Sequence, residues 1–282
     1  MAHGGSPEWN AAVLEVAEPL RARRPVEVAF GMADATTLKD GIAKLEARGV
    51  RRIGVMRLFV SGESFIDETE KILGLRDGAP LESAGGAPHP IAAGGHGGQG
   101  GHGGHGGHSM AFFRVQSRAS FALSTHGLTD AEGMGVVLAD RAAALSKAPA
   151  REDVLILAHG PGDDAENERW LAKLDARAST VRARAPFRRV QVETLREDWP
   201  EKRVAAEARI RSFVERAQKE DGGKAIVIPF RVHGFGPYAK VLEGLDYVAD
   251  AKGLIPHVEV TKWLESEITA LERGPFRAPI AK

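Results

Sequence analysis

The chain has no cysteine among its 282 residues. Disulfides, cysteine–zinc sites and thiol nucleophiles are therefore excluded, and any metal chemistry must use histidine, carboxylate or water. Net charge is lacking too, since 38 Lys and Arg balance 38 Asp and Glu. That balance argues against a broad face for nucleic acid. No uninterrupted apolar run is long enough to span a bilayer, so no membrane partner is expected. Also missing are a P-loop, a dinucleotide fingerprint set between a strand and a helix, and the Gly-x-Ser-x-Gly elbow of α/β hydrolases. No organic cofactor is implied.

What is present is ordinary globular material, 43% hydrophobic and 27% charged, enough for two cores. One short pattern occurs twice. Ala2-His3-Gly4 and Ala158-His159-Gly160 each place a His-Gly pair before a polar helix start, Ser6–Asn10 in one copy and Asp163–Trp170 in the other. In open α/β sheets, loops at the carboxyl ends of strands gather ligands. The repetition predicts an internal duplication into two tandem, doubly wound parallel-sheet domains, 1–148 and 149–282.

The order of elements repeats as well. In the first half, a helix over 10–20, a strand at Val26–Phe30, a helix over 38–45 and a strand from Arg52 to Val60 are expected. In the second half the counterparts are a helix from Asn167, a strand at Val190–Leu195, a helix around Ile210–Ala217 and a strand at Ala225–Val232. Fourth strands are expected at Phe121–Leu123 and His257–Val260. Five apolar residues, Val154–Ala158, precede His159, but only Met1 and Ala2 precede His3. The first domain is thus expected to lack its opening strand, as if the natural N-terminus lay upstream. The expected location is the cytoplasm, with the periplasm open if an export signal is missing. A duplicated chain can act as its own pseudo-dimer or as a homodimer.

Residues 84–110 break the pattern. This Gly-rich stretch carries His89, His96, His102, His105 and His108, half of the ten histidines. It reads as a disordered insertion that cannot bury a core. Imidazoles on so flexible a chain suit weakly selective capture of cobalt, nickel or zinc ions, and a plain linker is the alternative.

His159 is the foremost chemical candidate, with the role of a capping residue as its alternative. His233 follows the third strand of the second half, which lies beside the first in a parallel sheet, so the two imidazoles could converge on one ion. The first half offers His3, with Ser61 in place of a second His and Glu63 as the nearest ionisable group. Glu197 is a candidate metal carboxylate on the same rim. Arg231 and Lys240 are candidate anion binders, and Phe235 could stack on a flat ligand.

The chain resembles the class II tetrapyrrole chelatases of the CbiX type, the sirohydrochlorin cobalto- and ferrochelatases. The resemblance rests on Leu157-Ala158-His159-Gly160 with the Asn167 helix, Val26–Phe30, Gly49–Val60 and Leu138–Arg141. It implies two chelatase-like domains around a tetrapyrrole cleft, with His159 and His233 binding the incoming metal and His3 as the first-half equivalent. It further implies insertion of Co²⁺, Fe²⁺ or Ni²⁺, as substrate, into a sirohydrochlorin-type ring. A metal-binding chaperone or buffer on the same fold is the alternative.

Overall fold

The computed structural model describes residues 1–82, 110–220 and 223–280. They group into two units. Unit one gathers 1–82, 110–128 and 261–280, and unit two gathers 129–220 and 223–260. The five histidines of the Gly-rich stretch lie outside the described residues.

Unit one begins with Met1–Ala2 and α1 (Pro7–Arg21), which starts where Ser6 Oγ accepts from the Trp9 amide and Pro7 fills the first turn. Val13, Val16, Ala17 and Leu20 recur at helical spacing and turn inward. Helix α2 (Ala35–Ala47) is capped by Asp34, whose carboxylate also accepts from the Ala111 amide. Strand β1 (Arg52–Val55), the short α3 (Ile66–Ile72) and β2 (Ser120–Leu123) follow. β1 and β2 pair in parallel, Ile53 beside Phe121.

Ahead of α1, unit one shows a single bridging residue rather than a strand. Ala2 alone forms parallel bridges, to Phe30 on one side and Leu58 on the other. The expected strand at Val26–Phe30 consequently makes a bridge only at Phe30, and β1 stops at Val55 rather than Val60. A strand in the interior of a parallel sheet forms its ladder only where a neighbour is present.

Unit two carries α4 (Gly133–Leu145), β3 (Asp153–Ala158), α5 (Asp164–Arg184), β4 (Arg189–Thr194), α6 (Pro200–Lys219), β5 (Ala225–Pro229), the short α7 (Tyr238–Val241) and β6 (Tyr247–Ala249). All pairings are parallel, in the order β4-β3-β5-β6. β3 is buried along its whole length. Each of its aliphatic side chains contributes about 1.5–3 kcal/mol by leaving water. Asp153 at its start is held by Arg188 and Arg189, both within hydrogen-bond distance.

Two expectations change. His257–Val260 does not form a strand; it leads into α8 (Val258–Glu272), and β6 is the fourth strand. His257 Nδ1 accepts from the Glu259 amide, while Val260, Leu264 and Leu271 are buried at helical rather than alternating spacing. The linear halves also trade helices: α4 groups with unit two, and α8 from Thr261 onward groups with unit one. Among the described residues no helix is long and apolar enough to cross a membrane.

Candidate functional site

The carboxyl rim of the unit-two sheet is built on three neighbouring strands. Leu157 of β3 pairs with Glu193 of β4 and with Pro229 of β5. Past that register the Phe230 amide donates to the Leu157 carbonyl and the Leu195 amide to that of Ala158. The chain segments that carry His159, Glu197 and His233 therefore leave one edge of one sheet.

His159 directly follows β3, half-buried, with its ring edge-on to the buried Trp170 at 4.9 Å. Its carbonyl accepts from the Glu197 amide at 3.2 Å. Gly160 next to it has φ +76°, and a Cβ there would lie 2.6 Å from Thr194 Cβ. Only glycine lets the loop turn this close to β4. Thr194 donates to Asn167 Oδ1 at 2.7 Å in the interior, which fixes the start of α5 under the loop.

His233 lies beyond β5, also half-buried. Its stretch is bonded to the segment after β6, with Gly234 N donating to Lys252 O, and Leu254 N and Ile255 N donating to Arg231 O and Val232 O. His159 thus directly follows β3, and His233 lies in the loop that leaves the neighbouring β5 at the same edge of the sheet.

Other candidates take different roles. Glu197 is not drawn into a metal set: its carboxylate takes Arg231 Nη1 at 2.9 and 3.2 Å, and both side chains are largely covered. Among the described residues no cluster of three His, Asp or Glu is placed to hold a metal ion. Arg231 in turn is committed to Glu197 and lies 5.7 Å from the Tyr238 ring. Burial lowers its pKa, and Tyr238 and Glu197 more than offset this, so the guanidinium stays charged. Burial pushes the Tyr238 hydroxyl well above its ordinary pKa. Phe235 packs edge-on to Tyr238 and stacks on Tyr247 at the border of the core. Lys240 is exposed on α7.

The unit-one counterparts are simpler. His3 follows Ala2, stacks in a tilted arrangement 5.1 Å from Trp9, and its Nδ1 lies 2.6 Å from Gly4 O. His3 and His159 thus each lie against a tryptophan of the helix that follows. Ser61 is buried, with its hydroxyl accepting from the Glu63 amide, and Glu63 is exposed.

Two arginines were invisible to motif reading. Arg196 has φ +56° and reaches back from the end of β4 to the His159 loop, donating to Pro161 O at 2.5 Å, Gly162 O at 2.6 Å and Asp164 Oδ1 at 2.8 Å. Asp164 is also bonded by Lys202, and hydrogen bonds from Lys202 and Arg196 hold its pKa below the usual range. In unit one, buried Arg57 bonds Ser124 O at 2.9 Å, Ser64 O at 2.6 Å and Gly62 O. Burial lowers its pKa to about 10, against an opposing pull from Glu70. The one sequence cue to either is an arginine lying just beyond a strand.

The strand order and the paired rim histidines invite comparison with solved proteins. The structure of SirB from Bacillus subtilis with Fe³⁺ matches with a TM-score of 0.64 at 14% identity, covering 98% of this chain and 96% of that one. The fold is that of a class II chelatase. The sirohydrochlorin chelatase SirB from Bacillus subtilis subspecies spizizenii, in complex with cobalt, matches with a TM-score of 0.58 at 12% identity, covering 98% and 96%. DR2241 from Deinococcus radiodurans, a multi-domain protein described as similar to chelatases, matches with a TM-score of 0.50 at 19% identity, and this chain spans 52% of it. No family model and no curated protein sequence matches.

Proposed function

We propose that the protein inserts a divalent metal ion, Co²⁺ or alternatively Fe²⁺ or Ni²⁺, into a sirohydrochlorin-type tetrapyrrole, with His159 and His233 as the metal-binding and proton-accepting pair. The observation that supports this reading most is that His159 and the loop carrying His233 follow adjacent parallel strands, β3 and β5, in a chelatase-like fold. Neutral imidazole is a common ligand for borderline divalent ions, and two such ligands leave coordination positions for pyrrole nitrogens. With an ordinary pKa of about 6.5, each ring can also take a pyrrole proton near neutral pH. Arg196, Lys202 and Asp164 hold the loop after His159, so the ring is presented on a fixed turn. In unit one, Ser61 stands where the second half has His233, which supports unit two as the working half.

The test is the absorbance change of sirohydrochlorin mixed with protein and each metal in turn. Acceleration over background that disappears in His159→Ala and His233→Ala supports the proposal. A rate equal to background for the wild-type chain sinks it. The Gly/His-rich sequence of 84–110 favours a second reading, a metal buffer. That reading gains if deleting the tract removes all metal binding while neither rim histidine matters.

A further inference from the structure

Unit one holds a cavity of about 280 Å³. The segments Val26–Ala29 and Ile53–Met56 line it, and α1, α2 and α8 close it with aliphatic side chains such as Val13, Ile42, Leu264 and Ile268. Aliphatic side chains offer water no hydrogen bonds, so cavities lined by them stay dry and take up apolar guests. A cavity of about 150 Å³ accepts benzene, so this one has room for on the order of ten carbon atoms.

Charge enters the lining where β1 begins. Arg24, Glu27, Arg52 and Glu272 all border the cavity. Arg24 Nε meets Glu272 Oε1 at 3.1 Å, and Arg52 Nη2 donates to the Glu272 carbonyl at 3.2 Å, which gathers these groups together. Met1 and Leu58 border the cavity past the other end of β1. Glu27 is engaged by Arg48 at 3.1 Å. Arg24, Arg48 and Arg52 thus exceed Glu27 and Glu272 by one positive charge. One donor is left over as well: among the described residues Arg24 Nη1 is buried with no hydrogen-bond partner. A buried guanidinium N–H is costly to leave unmatched, and an anionic oxygen is its strongest acceptor.

We propose that this cavity is a binding site for a medium-chain carboxylic acid. The carboxylate accepts from Arg24 Nη1, and the alkyl tail runs along β1 toward Met1 and Leu58. Two separate observations select this ligand class. The aliphatic interior calls for a chain without polar atoms, since each methylene taken from water adds to affinity while a polar group placed there would lose its hydrogen bonds. The unmatched N–H and the surplus positive charge call for an anionic head on that chain. An alcohol of the same length meets the first demand and not the second, and a short carboxylate meets the second and not the first. The inference concerns unit one alone and does not rest on the metal chemistry of unit two.

The experiment adds decanoate, below its micelle-forming concentration, to the full-length chain. Decanoate is expected to raise the thermal midpoint in a saturable way, because a ligand of the folded state stabilises it by mass action, while acetate at the same concentration leaves it in place. In isothermal titration decanoate should bind about tenfold more tightly than 1-decanol, a ratio that one charge-assisted hydrogen bond supports. Arg24→Gln, a change at a half-buried position that leaves the core intact, should remove that preference. Ala17→Leu, which fills part of the cavity from α1, should weaken decanoate binding by about tenfold. A midpoint that decanoate does not move overturns the proposal. So does equal affinity for decanoate and 1-decanol, a preference that survives Arg24→Gln, or a folded Ala17→Leu chain that binds decanoate as the wild type does.

Discussion

The Thr194 hydroxyl donates to Asn167 Oδ1 across 2.7 Å, joining the end of β4 to the first turn of α5 beneath the loop that carries His159. Both groups are buried, so neither can turn to water when its partner is lost. Thr194→Val or Asn167→Ala should cost ~1–3 kcal/mol each. The double variant should cost less than their sum, measured as urea midpoints in a double-mutant cycle.

Gly160 and Gly234 are a matched pair for separating backbone strain from crowding. Their φ angles are +76° and +75°, but a Cβ at Gly160 meets Thr194 at 2.6 Å, while one at Gly234 meets nothing within 4 Å. Gly234→Ala should cost only the conformational penalty, ~1 kcal/mol. Gly160→Ala should cost at least ~1 kcal/mol more, read from thermal melts. Equal losses would show that the contact with Thr194 yields freely.

Arg196 sets the His159 loop through three acceptors at once. Lysine keeps the charge but not the planar fork. Arg196→Lys should leave the far-ultraviolet circular dichroism intact while weakening Co²⁺ binding by about tenfold, as for a residue that orients a ligand. Isothermal titration against the wild-type chain checks this.

The Met1 amine gives a signed pH dependence. Its pKa falls from 8.0 in the unfolded chain to about 5 in the folded one. Between those values the unfolded amine is protonated and the folded one is not, so unfolding takes up a proton. Stability should therefore drop as pH falls from 8 toward 5, by on the order of 4 kcal/mol in all, and this contribution levels off below. Nα-acetylated protein should lack this slope in denaturant titrations across the same window.

Asp153 sits buried between Arg188 and Arg189. Burial raises its pKa, but hydrogen bonds from both arginines outweigh that and hold it below the ordinary carboxylate value. Asp153→Ala should cost ~1–3 kcal/mol, because it removes charged hydrogen bonds from both arginines while Glu220 still faces them. Chemical denaturation at neutral pH reads the loss directly.

Much of this was legible in the sequence because hydrophobic periodicity reports burial. Val154–Ala158 reads as an inner strand and is one, and Ile210, Phe213, Val214 and Ala217 mark the inward face of α6. His159 directly follows β3, as Val154–Ala158 before it led one to expect. What failed had nonlocal causes. Val26–Phe30 has strand composition but no neighbour to pair with beyond Phe30. Residues 257–260 alternate like a strand over too short a window to betray the helix that follows. The fates of Arg231 and Glu197 depend on each other across the fold, and no spacing rule relates a strand-end arginine to a carboxylate on the neighbouring loop.

The helix that closes unit one comes from the far end of the chain. Leu271 packs on Gly54, Arg277 exchanges backbone bonds with Phe121, and Ile280 donates to Gly74. During translation, then, the portion made first must wait for the portion made last, whereas unit two has all of its residues once Val260 is synthesised. A released chain ending near residue 260 should therefore carry a finished second unit and an unfinished first, an inversion of the usual order of assembly along a polypeptide.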